Sequence, residues 1–245
     1  MIDWHQRYQQ QARWTAQLRA YLIQKAGIQP LNRVLEVGCG SGAVLREFSG
    51  ENRIFGLDID FSSLQITQTL LPSASLICSD AHYLPFVSKS MDYCFCHFFL
   101  MWVNGANVLQ EMIRITRSGG AVIAMAEPDY GGRIDYPSSL SAIGKYQIQS
   151  LRDQCADPFT GRKIRAWFET AGLIDIESGV MAAQWTKDQP HPQEIDLEWS
   201  VIRSDLENYC KPEEIEALEK ADRHAWLEGT RVLFVPTFYA IGFVP

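Results

Sequence analysis

The 245-residue chain predicts an α/β fold: a doubly wound, mostly parallel sheet with helices on both faces. Three observations carry that prediction. Short apolar runs alternate with helical periodicity from residue 33 to residue 127. The first run, RVLEV at 33–37, ends in a turn holding Gly38, Gly40 and Gly42. The hydrophobic content of 47% is enough for one sizeable core.

The elements follow in order. Residues 4–26 carry Trp4, Tyr8, Ala12, Leu18, Tyr21 and Leu22 among glutamines and arginines, which predicts a helix closed by Gly27 and Pro30. Strands are expected at 33–37, 53–60, 75–81, 91–99 and 121–127, and helices at 41–49, 62–70 and 104–117. The second half is less regular. It predicts helices at 139–154 and 162–171, a strand at 174–183, acidic helices within 193–228 and a last strand at 231–243. Pro236 interrupts that strand and predicts an edge, a bulge or a break.

Composition excludes several classes of function. Residues 1–17 are polar, with no apolar stretch of a secretory signal, so a cytoplasmic protein is expected. The longest apolar run, CFCHFFLMWV at 94–103, is too short to span a bilayer. Six scattered cysteines read as free thiols, with Cys94 and Cys96 on one side of a strand. The net charge is −7, and residues 193–228 alone hold eleven acidic and four basic residues. No basic stripe is present, which disfavours a nucleic-acid partner. The histidines have no ligand-like spacing, so no metal is expected. The oligomeric state, monomer or homodimer, stays open.

Three glycines in five residues imply a bound group that the backbone must approach closely. A dinucleotide fits the pattern GxGxxA at 38–43, with Asp58 twenty residues after Gly38. Glu36 argues against it: a carboxylate here repels a pyrophosphate and suits a cationic amino-acid ligand. Asp58, ending the second strand, can accept from both hydroxyls of a ribose. Asp80, after the third strand, can accept from an adenine amino group, or close an Asx-turn.

With VLEVGCGSG at 34–42, FGLDID at 55–60, SDAHYLPF at 79–86, SMDYCFCHFFLMW at 90–102 and SGG at 118–120, the chain resembles the class I S-adenosylmethionine-dependent methyltransferases. The resemblance covers residues 30–127. It implies a seven-stranded sheet with an antiparallel last strand, helical cap insertions, and S-adenosyl-L-methionine as cofactor with S-adenosyl-L-homocysteine as product. Gly38, Cys39, Gly40 and Gly42 would line the methionine and ribose, and Glu36 would orient the ligand. Asp58 would take the ribose hydroxyls and Ile59 would pack on the adenine. Asp80 and Ala81 would meet the adenine edge, with Cys96 and His97 beside the methionine amino end. One domain over 1–245 is expected. It comprises an N-terminal cover at 1–29, a cofactor-binding core at 30–127, and substrate-side insertions at 128–160 and 184–230.

Methyl transfer from a sulfonium needs alignment and exclusion of water, and a base only if the acceptor must lose a proton. His97 and Glu127 are the candidate catalytic groups. Tyr8, Trp14, Tyr130, Arg133, Tyr136, Trp185 and Trp199 are the substrate-side candidates. The family's asparagine/aspartate–proline–proline–aromatic signature is replaced here by CHFF at 96–99, which lowers the expectation of DNA-base or glutamine-amide methylation. A small-molecule acceptor is expected, with a protein acceptor as the alternative. A nicotinamide-dependent oxidoreductase and a non-catalytic cofactor-binding subunit are the readings from other classes.

Overall fold

A computed structural model describes residues 2–50, 53–183, 185 and 190–245. Seven strands form the central sheet, in the order β3-β2-β1-β4-β5-β9-β7. They are β1 (Arg33–Val37), β2 (Arg53–Asp58), β3 (Ser75–Cys78), β4 (Met91–Cys96), β5 (Thr116–Pro128), β7 (Ile174–Met181) and β9 (Thr237–Phe243). The first five run parallel. β9 is antiparallel to both β5 and β7, with Ile123 opposite Ile241. A two-stranded sheet pairs β6 (Ile134–Tyr136) with β8 (Val232–Phe234).

The period-two alternation of the strands fills a core on each face. Leu35, Val37, Cys94, Cys96, Val122 and Ala124 point to one side, where α4 (Gly105–Ile115) and α6 (Ile164–Thr170) add Leu109, Met112 and Phe168. Val34, Phe95, Ala121 and Ile123 point to the other, covered by α2 (Ala16–Ala26) and α3 (Phe61–Leu70) through Leu22 and Leu64. Cys94 and Cys96 are buried free thiols on one face. A third, smaller core lies outside the sheet. α5 (Ser141–Asp153), α7 (Pro192–Leu206) and α8 (Pro212–Leu227) bring together Ile143, Trp199, Ile202, Leu206 and Ile215.

Two expectations are corrected and a third is made specific. The helix expected at 4–26 is two, α1 (Trp4–Trp14) and α2, meeting at Thr15. The Thr15 hydroxyl lies within bonding distance of the Gln11 and Ala12 carbonyls and of His97, a pattern that bends a helix. The helix expected at 41–49 is only a short 3-10 turn at Leu45–Phe48. Gly42 sits at φ +75° and holds the chain out of helical geometry until then. Of the edge, bulge or break expected at Pro236 within 231–243, the chain takes the break, since proline has no N–H for a ladder. β8 leaves to join β6, and β9 completes the main sheet.

Candidate active-site cleft

The order of the sheet reverses at β1, whose neighbours are β2 and β4, so the carboxyl end of β1 opens into a crevice. The glycine turn leaves β1 there. Gly38, at φ +73°, faces Phe99 so closely that a Cβ would lie 2.1 Å from the ring. Gly40, at φ +49°, meets the Tyr8 ring in the same way at 3.0 Å. The turn is fixed from outside: Asp58 Oδ2 accepts from Gly40 N at 2.7 Å, and the Thr67 hydroxyl donates to Gly40 O at 2.8 Å. Asp58 Oδ1 accepts from Asp60 N at 2.9 Å.

A continuous cleft of about 2000 Å³ opens from this turn. On the core side it is lined by Glu36, Gly38, Cys39, Gly40, Asp58, His97 and Phe99. Tyr8, Trp14, Tyr130, Arg133, Trp185 and Trp199 line it from outside the core. Gly42 is turned instead toward Thr67. Ala81 and Cys96 are buried in the sheet core. Ile59, 74% exposed, stands at the end of β2, and Tyr136 is exposed on β6. Asp80 accepts from the backbone N–H of His82 at 2.9 Å and lies 2.7 Å from its ring nitrogen, capping a short 3-10 turn.

Glu36 is 3% exposed, and its Oε2 has no hydrogen-bond partner among the described residues. Burial drives its carboxyl well above the usual range, opposed by the charge of Arg19. A buried acceptor without a donor is costly, and a cationic or N–H-bearing ligand in the cleft supplies one. The glycine turn and the Asp58 carboxylate line the same cleft, where Asp58 is a further acceptor. The residues present therefore fit S-adenosylmethionine.

The two catalytic candidates, His97 and Glu127, sit in different surroundings: His97 lines the cleft and Glu127 lies behind it. His97 Nε2 is 2.8 Å from the Thr15 hydroxyl, and burial pushes its pKa down to about 3. It is a neutral ring and a poor proton acceptor near neutral pH. Glu127 is fully buried and does not line the cleft. Its Oε1 accepts from Phe99 N and Leu100 N, both at 3.1 Å, and burial raises its pKa to about 7. It clamps the loop in which Phe98 takes a left-handed φ of +51°, a strained conformation for an aromatic residue.

α1 closes over the turn: His5 Nδ1 is 2.8 Å from Ser41 Oγ, and Arg19, just beyond, pairs with Glu47. On the far wall an ionic network appears that the sequence reading missed. Arg133 and Arg231 share Asp135 at 2.6 and 2.7 Å. Arg231 also holds Asp222 at 2.6 Å, and Asp222 accepts from the Trp199 indole at 2.8 Å. Asp205 accepts from Gln147 and Ser150 at 2.8 and 2.9 Å. Arg7 pairs with Glu198. A signal was available, because Asp205 follows Ile202 by three positions and precedes Leu206 on the apolar face of α7.

Residues 35–124 match a family model described as a methyltransferase domain. Among curated relatives, a malonyl-(acyl-carrier protein) O-methyltransferase of Hamiltonella defensa is 29% identical over 47% of this chain and 46% of its own length. The match therefore spans about half of that relative. A demethylmenaquinone methyltransferase of Renibacterium salmoninarum is 28% identical over 71% of this chain and 72% of its own. Among solved structures, the phosphoethanolamine N-methyltransferase 2 of Haemonchus contortus, in complex with phosphomonomethylethanolamine and S-adenosylhomocysteine, superposes with a TM-score of 0.62 at 14% identity. That superposition covers 96% of this chain and 56% of the other. With the reversal at β1 and the antiparallel β9, the chain has the fold of the class I S-adenosylmethionine-dependent methyltransferases, with insertions.

Proposed function

We propose that the protein transfers a methyl group from S-adenosylmethionine to a small-molecule acceptor. The observation that carries this reading is the unsatisfied Glu36 oxygen beside a glycine turn braced by Asp58. A dinucleotide would bring its phosphates to that carboxylate, whereas the methionine amino group brings a donor. In this reading Gly38, Cys39 and Gly40 cradle the methionine and ribose, and Asp58 takes the ribose hydroxyls. The backbone of Cys96 and His97 borders the amino end. Ile59, Asp80 and Ala81 border the adenine, and Gly42 keeps its neighbours in place through α3.

The cofactor supplies an electrophilic methyl on a positively charged sulfur. The chain has to hold the acceptor's lone pair in line with that methyl and keep water out. Tyr8 and Trp14 from α1 close one side, and Tyr130, Arg133, Trp185 and Trp199 wall the other. Tyr136, expected on this side, is exposed on β6 and has no part in the lining. Glu127 acts through position, by locking Phe99 and Leu100. His97 contributes shape and a hydrogen bond with Thr15. The chain works as one domain: a cover at 1–29, a cofactor core at 30–127, and acceptor-side insertions at 128–160 and 184–230. The matched relatives' names carry different acceptors, so none is transferred to this chain.

Calorimetric titration of the full chain tests the cofactor. S-adenosylmethionine and S-adenosylhomocysteine are expected to bind and NAD is not; NAD binding without either sulfur ligand sinks the reading. Hydrogen exchange with S-adenosylhomocysteine tests the arrangement. Protection is expected in 128–160 and in part of 184–230, and protection confined to 34–42, 58–60 and 79–97 rejects it.

A further inference from the structure

The charges on the acceptor wall do not balance. Each arginine lining it already faces a carboxylate: Arg7 faces Glu198, Arg13 faces Glu194, Arg133 faces Asp135, and Arg231 faces Asp135 and Asp222. Asp205 has no such partner among the described residues. Its donors, Gln147 Nε2 and Ser150 Oγ, are neutral. It is 9% exposed, yet it lines the cleft.

We infer that the acceptor carries a cationic nitrogen, a protonated or quaternary amine, anchored by Asp205. This rests on the methyltransferase reading above. An anionic acceptor would have to displace a carboxylate from one of those arginines. A cation finds a carboxylate that two neutral donors orient but do not neutralise. Burial raises the Asp205 carboxyl above its ordinary range, opposed by its two hydrogen bonds; the charges of the paired Glu198 and Arg7 act on it in opposite directions, and an incoming cation favours the ionised form. Tyr130, an aromatic residue able to pair with a cation, lines the same cleft. An ammonium has no lone pair, so the anchor and the methylated atom are distinct groups unless the proton is lost first.

Three probes of similar shape decide the matter: phenethylammonium, phenethyl alcohol and hydrocinnamate, titrated calorimetrically into the full chain with and without S-adenosylhomocysteine. The ammonium is expected to bind roughly tenfold tighter than the alcohol, with the carboxylate weakest. In Asp205→Asn that preference falls to near parity, while affinity for S-adenosylhomocysteine is retained. A wall that uses Asp205 only to join α5 to α7 would lose stability in the variant and keep its ranking of the probes. The inference is overturned if hydrocinnamate ranks first, if the probes rank equally, if the ammonium fails to bind at millimolar concentration, or if its preference survives the substitution. Should the variant fail to fold, the wild-type ranking alone decides. Loss of S-adenosylhomocysteine binding in the wild type would defeat the methyltransferase reading instead, and the ranking measured without it still tests Asp205.

Discussion

The two walls of the cleft are built on different principles. The wall proposed for the cofactor is backbone: a glycine turn at the end of β1, positioned by one carboxylate, Asp58, and one hydroxyl, Thr67. The wall proposed for the acceptor is made of side chains brought together from β6, α5, α7, α8 and the segment before β8. The first depends on residues close in sequence. The second depends on pairs such as Asp135 and Arg231, which are 96 positions apart. A local site of the first kind tolerates change elsewhere, while a network of buried charges stands or falls together.

The largest effect is therefore expected on the acceptor side. Arg231→Met leaves Asp222 without its arginine and Asp135 with Arg133 alone, both carboxylates being nearly fully buried. Leaving a buried carboxylate without its partner costs about 3–5 kcal/mol. Urea unfolding should show a large drop in midpoint, while the folded fraction keeps its affinity for S-adenosylhomocysteine to within a factor of about three. A parallel loss of cofactor affinity would mean that the two walls are one cooperative site.

Asp58→Ala is the converse. It removes a charged acceptor from the ribose position and frees Gly40 N and Asp60 N. Hydrogen bonds to a charged group contribute about 1.5–3 kcal/mol, so affinity for S-adenosylhomocysteine should fall by roughly tenfold or more. The melting midpoint should move little, because Asp58 is a half-buried strand end. Unchanged affinity would place the ribose elsewhere.

The same contrast governs how much the sequence revealed. The strands at 33–37 and 174–183, the glycine turn, Glu36 and Asp58 were legible because periodicity and punctuation are local. The helix expected at 41–49 failed for a local reason as well, since Gly42 at positive φ delays its start. The acceptor wall was only partly legible. Tyr130, Arg133, Trp185 and Trp199 were found as aromatics and charges in long connections, and Tyr136 faces solvent instead. Arg7, Asp205, Asp222 and Arg231 looked like members of solvated helical faces or strand ends. Only the three-dimensional pairing reveals which of those charges are buried.

A pH experiment sharpens the role of Glu127. Its folded pKa of about 7 lies above the unfolded value of about 4.3. Its contribution to stability is fully present below the unfolded value and is lost as pH rises through 7, because the folded state must then release a proton it holds favourably. Glu127→Gln keeps an oxygen for Phe99 N and Leu100 N and removes the titration. Relative to wild type, the variant should gain about 1–3 kcal/mol at pH 8 over pH 5, read from urea midpoints. Parallel pH profiles would show that Glu127 does not titrate in this range.

The smallest effect is expected at Asp80, which is proposed for the cofactor side yet resembles neither wall. It is about half exposed, and its Oδ1 is engaged with both the backbone and the ring of His82, holding its carboxyl below the usual range. The ring reaches on to Asn104 N at 3.3 Å, linking the turn after β3 to the start of α4. Asp80→Ala removes a solvent-exposed acceptor from the proposed adenine edge and loosens that link. One exposed hydrogen bond contributes about 0.5–1.5 kcal/mol, so S-adenosylhomocysteine should bind a few-fold more weakly. His82→Ala separates the two contributions, since it removes the link and leaves the carboxylate. If Asp80 meets the adenine directly, Asp80→Ala weakens binding and His82→Ala does not. If both variants weaken binding equally, Asp80 acts by shaping the turn, and the adenine amino group finds its acceptor elsewhere.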